Sequence, residues 1–223
     1  MNATKNNDEN QKEKILSTTK TLFYEKGYRG TTIAMIAEAS GVSVGLVNYY
    51  YKKEELLGQI FHDFILYIRR FLNEKLGSLI ENQFQMHLLF NRIFFIKIFE
   101  SPAIESLYSY MREKDLYLDI THNYIRNSMT SIILEFDLDI DKELFRQLTV
   151  AEYGARKSLY QDRALKDIPR NSIAFIDFQS TITVRLAGVS PSIIEKNIKR
   201  TNTLMRYIDI NCVNFLDDFN ADQ

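Results

Sequence analysis

The sequence predicts an all-α protein, with a compact N-terminal domain of three short helices followed by a larger helical domain. Three observations carry this prediction. Apolar residues recur at helical spacings of three and four, and no run alternates apolar with polar residues between turn signals as a strand would. The chain breakers are also unevenly spread: Gly27, Gly30, Gly41 and Gly45 crowd the start, and beyond Gly58 only Gly77, Gly154, Gly188, Pro102, Pro169 and Pro191 interrupt the chain. Short helices between glycine turns, then long helices with brief connections, fit that distribution.

In order, residues 1–10 read as a polar tail, and the first helix runs over 11–26 until Gly27. Thr31 and Thr32 offer cap hydroxyls for a helix over 32–40, whose Ile33, Ile36 and Ala37 share one buried face. Gly41 suits a turn at positive φ, and Ser43 caps the next helix, 44–50. A long helix over 53–79 carries the stripe Phe61, Phe64, Ile68 and Phe71, and one over 83–100 carries Phe90, Phe94, Phe95 and Phe99. Pro102 separates a helix over 103–112, and two more follow at 115–136 and 141–165. Pro169 and Pro191 then bracket a helix over 171–187 and introduce the last, 192–219. The domains expected are 11–57 and 58–223, joined by the helix after Lys53 without a flexible linker.

Composition excludes several classes. The 223 residues are 45% hydrophobic with 8 Gly and 3 Pro, which rules out collagenous and disordered chains. Cys212 is the single cysteine, and His62, His87 and His122 are scattered, so no disulfide framework or metal motif is expected. The mixed-charge start predicts no signal peptide, and no apolar run spans a bilayer, so a cytoplasmic chain without a membrane partner is expected. A net charge of -1 argues against coating nucleic acid through bulk charge, so any DNA contact must be local. No nucleophile elbow, phosphate-binding glycine loop or His/carboxylate motif occurs, so no catalytic residue and no cofactor is expected.

Residues 31–51 carry the functional signal. Two short helices joined by a glycine-containing turn are either a helix-turn-helix, whose second helix enters a major groove, or simply two packed helices. Val42, Val47 and Tyr50 or Tyr51 can turn inward, which leaves Val44, Gly45, Leu46, Asn48 and Tyr49 outward. The longer string is more specific. Leu22-Phe23-Tyr24-Glu25-Lys26-Gly27-Tyr28, Thr31-Thr32-Ile33, Ile36-Ala37, Gly41-Val42-Ser43, Gly45, Tyr49-Tyr50-Tyr51 and Lys53-Glu54-Glu55-Leu56-Leu57 closely resemble the DNA-binding domain of TetR-family regulators.

That resemblance covers about residues 11–57 and implies a homodimeric, ligand-responsive transcriptional regulator, most often a repressor on a palindromic double-stranded operator. It implies phosphate contacts from Thr31, Thr32 and Lys53, with Tyr28 or Arg29 adding to them, and a recognition surface of Ser43, Val44, Gly45, Leu46, Asn48 and Tyr49. Helix N-termini and a lysine there suit phosphate independently. The chain departs from the family pattern at Val44, Asn48 and Tyr51. Asn48 is either an adenine reader or a surface spacer. A nucleoid or cell-division factor with the same DNA-binding domain and no effector is the alternative reading.

Beyond residue 57 the aromatics are either core or the lining of an apolar cavity with polar handles. The resemblance favours a cavity for an unknown small-molecule effector, expected to be apolar or amphipathic, that releases the operator. The residues expected there are Phe64, Tyr67, Ile68, Phe71, Phe94, Phe95 and Tyr108, with His87, Asn91, His122 and Arg126 as polar candidates; Arg92 is a further one. Ile194, Ile198, Thr201, Met205, Ile208, Cys212 and Phe215 form a heptad-like seam, with Ile173, Ile176, Ser180, Val184 and Ala187 as a second face. These faces pack within one subunit or, as the family resemblance implies, between two. Cys212 reads as a small apolar seam residue rather than a redox sensor.

Overall fold

Ten α-helices and no strand make up the described part of this computed structural model, which is residues 2–114, 116, 118–161 and 167–217, without the side chains of 2–7, 118–123 and 125. The helices are α1 (Asn2–Gly30), α2 (Ile33–Ser40), α3 (Val44–Tyr50), α4 (Lys53–Leu76), α5 (Gln83–Glu100), α6 (Pro102–Glu113), α7 (Leu118–Glu135), α8 (Lys142–Gln161), α9 (Ile173–Leu186) and α10 (Pro191–Leu204). Two 3-10 turns, Met205–Tyr207 and Ile210–Cys212, follow. No described helix is long and apolar enough to cross a membrane.

Two boundaries differ from the sequence reading in an informative way. α1 begins at Asn2, so the stretch expected as a polar tail is helical. Nothing in it breaks a helix, and the Tyr50 hydroxyl donates to the Asp8 carboxylate at 2.8 Å. The last helix stops at Leu204 instead of running to 219. Asp209 there accepts the Asn211 N–H through its side chain at 2.9 Å, a local bond that competes with helix. Helix α8 ends at Gln161, and residues 162–165 of its expected extent lie outside the described residues, as do Asp115 and Tyr117 of the helix expected over 115–136.

The chain divides into two compact units, and the division does not fall at residue 57. The first unit holds residues 1–67, 101–117 and 214–223. Its core is built from Ile15, Leu22, Phe23, Ile36, Val47, Leu57 and Phe61, together with Ile104, Leu107, Tyr108 and Met111 of α6. Those α6 residues recur at three and four, so one face of the helix is apolar and must be covered. Phe215 joins them, its ring 5.1 Å from Phe61 and from Phe64, while Lys20 donates to the Asp217 carbonyl at 2.6 Å.

The second unit holds residues 68–100 and 118–213. α5 is buried on nearly every side, as a helix apolar all round should be. One part of its core joins Phe84, Leu88, Met129, Ile132, Val184, Val189 and Ile194. The polar residues within α5 are consequently enclosed, and each needs a partner. Arg92 finds Asp177 of α9 through two bonds of 2.7 Å, and Gln85 donates to Asn197 of α10 at 3.0 Å.

Candidate functional site

The α2–turn–α3 segment is set by caps that the sequence spells out. Thr32 caps α2 by accepting the Met35 N–H at 3.2 Å, and Ser43 caps α3 by accepting the Leu46 N–H at 3.1 Å. Between them Gly41 takes φ 66°, ψ 32°, and the Val42 N–H reaches back to the Ala37 carbonyl at 3.0 Å, closing α2. Val47 is completely buried, so its side chain fixes the roll of α3 and turns the other face outward. Tyr49 is 78% exposed and Val44 46%, with Ser43, Gly45 and Asn48 exposed beside them and Leu46 half-buried. Lys12 sits 5.2 Å over the Tyr50 ring, and its bond to Asp8 pushes the Tyr50 hydroxyl up to about 12.

The expected phosphate positions divide. Thr32 and Arg29 are exposed. Thr31 is not: it has 0% exposure, and its hydroxyl is shared between the carbonyls of Leu22 (3.1 Å) and Gly27 (3.0 Å). It braces the break in α1, where Gly27 has φ 71°, ψ 167°, a backbone region essentially reserved for glycine. Tyr28 is likewise a brace. Its buried ring stacks on Tyr110 of α6 at 4.1 Å, and the Lys53 ammonium lies 4.1 Å over its centroid. Burial and the Tyr110 hydrogen bond push the Tyr28 hydroxyl up, and burial draws the Lys53 ammonium down. At the head of α4 the Glu55 carboxylate accepts the Lys52 N–H at 2.8 Å, leaving Lys53 in the first turn.

Most of the expected effector residues are packed against neighbours. Phe64, Tyr67 and Tyr108 belong to the first unit, where Phe64 packs on Phe215 and the Tyr67 hydroxyl donates to Asp217 at 3.3 Å. In the second unit Ile68, Phe71, Phe94 and Phe95 are core, and Phe94 and Phe95 meet edge to face at 5.2 Å. Arg126 is exposed on α7, and the side chain of His122 lies outside the described residues.

His87 and Asn91 are buried in a polar chain that the sequence marks only in part. Arg156 donates to the Asn91 side chain at 3.0 Å and to Glu152 at 2.5 Å, and the Thr183 hydroxyl also donates to Glu152. The His87 Nε2 lies 3.1 Å from both the Ser180 carbonyl and the Asn91 amide nitrogen, and its Nδ1 is buried with no hydrogen-bond partner among the described residues. Burial lowers the His87 pKa to about 4, which keeps the ring neutral. Gln179 is fully buried, and among the described residues neither of its amide atoms has a hydrogen-bond partner. Arg156 and Glu152 read in sequence as an ordinary i,i+4 pair on α8, and only packing shows that Glu152 also meets Thr183 of α9 and Arg156 meets Asn91 of α5.

One cavity of about 50 Å³ lies in the second unit, lined by Arg69, Gln83, Met86, Phe90, Tyr124, Asn127, Ser128 and Ser131. Another of about 10 Å³ is enclosed by apolar residues of α7, α8 and α9. Among the described residues no group of three or more His, Cys, Asp or Glu side chains is placed to hold a metal ion.

The expected dimer faces are mostly interior. Ile176, Ser180 and Val184 are buried on the core side of α9, and Ile194 and Thr201 on that of α10. Ala187, Ile198, Met205 and Ile208 are half-buried, and Phe215 lies in the first unit's core. Cys212 is exposed, with its thiol donating to the Asp209 carbonyl at 2.8 Å, because the helix that was to seat it has ended. Besides Cys212, Ile173 is the expected dimer residue that stays outward. The outward apolar face of α9 is instead Ile173, Ala174, Phe178 and Leu186, with Val150 and Ala151 outward on α8.

Residues 15–60 match the profile of the bacterial regulatory proteins of the tetR family. No curated protein matches the chain in sequence. Among solved structures, RolR in complex with resorcinol superposes with a TM-score of 0.63 at 17% identity, covering 87% of this chain and 96% of that one. RolR without ligand gives a TM-score of 0.57 at 15% identity, covering 85% of this chain and 95% of that one. At such identities the likeness is one of fold. The capped α2–turn–α3 geometry and the profile coincide on the same residues, so the N-terminal segment is a helix-turn-helix DNA-binding domain of the TetR family.

Proposed function

We propose that this regulator is a homodimeric repressor that holds a palindromic operator through α3 and is released by a small effector bound in the second unit. The exposed face of α3 carries the reading: Val44, Gly45, Asn48 and Tyr49 stand outward on a helix whose roll is fixed by buried Val47. Asn48 offers the side-chain amide that suits adenine, and Val44 an apolar contact for a thymine methyl. Lys53, Thr32 and Arg29 flank that face as phosphate contacts. In place of the faces expected from sequence, Phe178 and Leu186 of α9 and Val150 of α8 form the interface with a second copy; all three are large apolar side chains in water in one protomer.

Release rests on α4, which is one continuous helix from Lys53 to Leu76. An effector that fits only one orientation of it would alter the separation of the two recognition helices. Reciprocity then requires operator DNA to weaken effector binding by the same factor. The fold relative RolR takes resorcinol, which supports a small-molecule effector. The close-packed aromatics favour the other reading, an effector-independent nucleoid or cell-division factor.

Selection of bound sequences from random DNA tests the proposal. A palindrome with half-sites about one helical turn or more apart is expected. Tyr49→Ala and Lys53→Ala should weaken its binding, and Phe178→Glu should give a monomer that binds poorly. Enrichment of no palindrome, or wild-type affinity in the Tyr49→Ala/Lys53→Ala double variant, would refute DNA reading by α3. A Phe178→Glu variant that remains dimeric would place the interface elsewhere.

A further inference from the structure

We infer that the cavity between α4, α5 and α7 is the effector's recognition site and that its ligand is a small aromatic anion of the arylcarboxylate type. This rests on the effector reading above and goes further by naming the site and the chemistry. The lining carries one charged group, the Arg69 guanidinium, and no carboxylate. Among the described residues that guanidinium meets only the Tyr124 ring, 6.0 Å away. A cation left on an aromatic face is poised to take a carboxylate through two parallel N–H bonds. The Ser128 hydroxyl and the Asn127 and Gln83 amides add neutral donors around the same space.

The remaining walls are aromatic. Phe90 and Tyr124 lie 4.3 Å apart with their planes tilted by 35°, and His87 stacks on Tyr124 at 6.4 Å with a 14° angle. Rings beside a cation suit a flat ring bearing the anion. The buried and unpartnered His87 Nδ1 lies one ring behind Tyr124, and a hydroxyl on the ligand would satisfy it if Tyr124 gave way.

The space is about 50 Å³, enough for water and short of the roughly 150 Å³ that a benzene ring fills. It must therefore open. Arg69 and Met86 are unbranched and only half-buried, and Gln83 and Asn127 are exposed, so the wall is made of side chains that can swing aside. Arg69 stands on α4, the helix whose first turn holds Lys53, so a ligand drawn to it acts on the helix that carries the proposed Lys53 phosphate contact.

Thermal shift and calorimetry on the full-length protein test the inference with benzoate, 4-hydroxybenzoate, salicylate and phenylacetate against benzyl alcohol and benzamide, without DNA. At least one anion should stabilise the protein at millimolar concentration. Arg69→Gln should weaken that anion at least tenfold while leaving the melting point of the free protein close to wild type, and Ser128→Leu should fill the cavity and abolish binding. No stabilisation by any of the four anions overturns the inference, as do equal binding of the neutral analogues or undiminished anion binding by Arg69→Gln. Operator binding is measured separately: an anion that binds through Arg69 but leaves operator affinity unchanged supports this site and refutes the release mechanism.

Discussion

Replacing Asp177 with leucine removes one half of the Arg92–Asp177 pair and leaves a guanidinium in the middle of α5 with 1% of its side chain exposed. The two bonds between them, from Nε and Nη2 at 2.7 Å each, are the contacts that let a charge sit in the core of the second unit. Losing one partner of such a pair costs about 3–5 kcal/mol, because the remaining charge stays desolvated. For a chain of this length each kcal/mol lowers the melting point by roughly 2–4 °C, so Asp177→Leu should melt roughly 6–20 °C below wild type. The double variant Arg92→Met/Asp177→Leu removes both charges and should recover most of that loss, since apolar replacement of a buried pair is often neutral or better. Circular dichroism during heating and in urea measures both variants; the chain has no tryptophan to report by fluorescence. A single variant as stable as wild type would refute the claim that Asp177 holds the charge in place. A double variant no better than the single would show that shape, not charge, sets the cost.

Three further outcomes follow from the geometry. His87 is held neutral with a pKa of about 4 against an ordinary 6.5, so between those values the unfolded chain binds a proton that the folded chain refuses. Its contribution is complete above pH 6.5 and is lost as the pH falls toward 4, by about 3 kcal/mol in all. Urea midpoints at pH 7 and pH 4.5 should therefore differ less in His87→Gln than in wild type, and equal differences would contradict the assignment. Thr31→Val should cost about 1 kcal/mol of stability by removing the hydroxyl bonded to Leu22 and Gly27, and leave the salt dependence of operator binding unchanged. Thr32→Ala should lose a similar amount through its cap and also weaken DNA binding, which separates the two adjacent threonines.

Local signals decided the first functional element. Thr32, Gly41 and Ser43 act through backbone groups within four residues of themselves, so α2, its turn and α3 were legible from residue type and spacing alone. The bounds of α5 were legible from its stripe Phe90, Phe94, Phe95 and Phe99 at helical spacing, whereas the burial of Gln85, His87, Asn91 and Arg92 within it was not. Which side of a helix meets which neighbour is a different kind of question. Ile176, Ser180 and Val184 formed a plausible outward face of α9, yet it is the Phe178 and Leu186 side that stays in water. Helical spacing identifies a stripe and says nothing of whether the stripe meets its own chain or another.

Partners distant in sequence were equally hidden. Thr31 reads as a cap beside Thr32 until α1 breaks at Gly27 and brings two carbonyls to its hydroxyl. Arg92 stood out as a charge in an apolar helix, but Asp177 stood 85 positions away with nothing to mark it. The seam on the last helix failed because its period continued past Leu204 while Asp209 and Asn211 offered the backbone a local alternative. Sequence determined the all-helical class and the capped helix-turn-helix, because caps, glycine turns and periodicity act over a few residues. Tertiary structure alone decided which charges pair, which apolar stripe remains exposed and where a cavity survives, because each depends on groups that the chain brings together only when the helices pack.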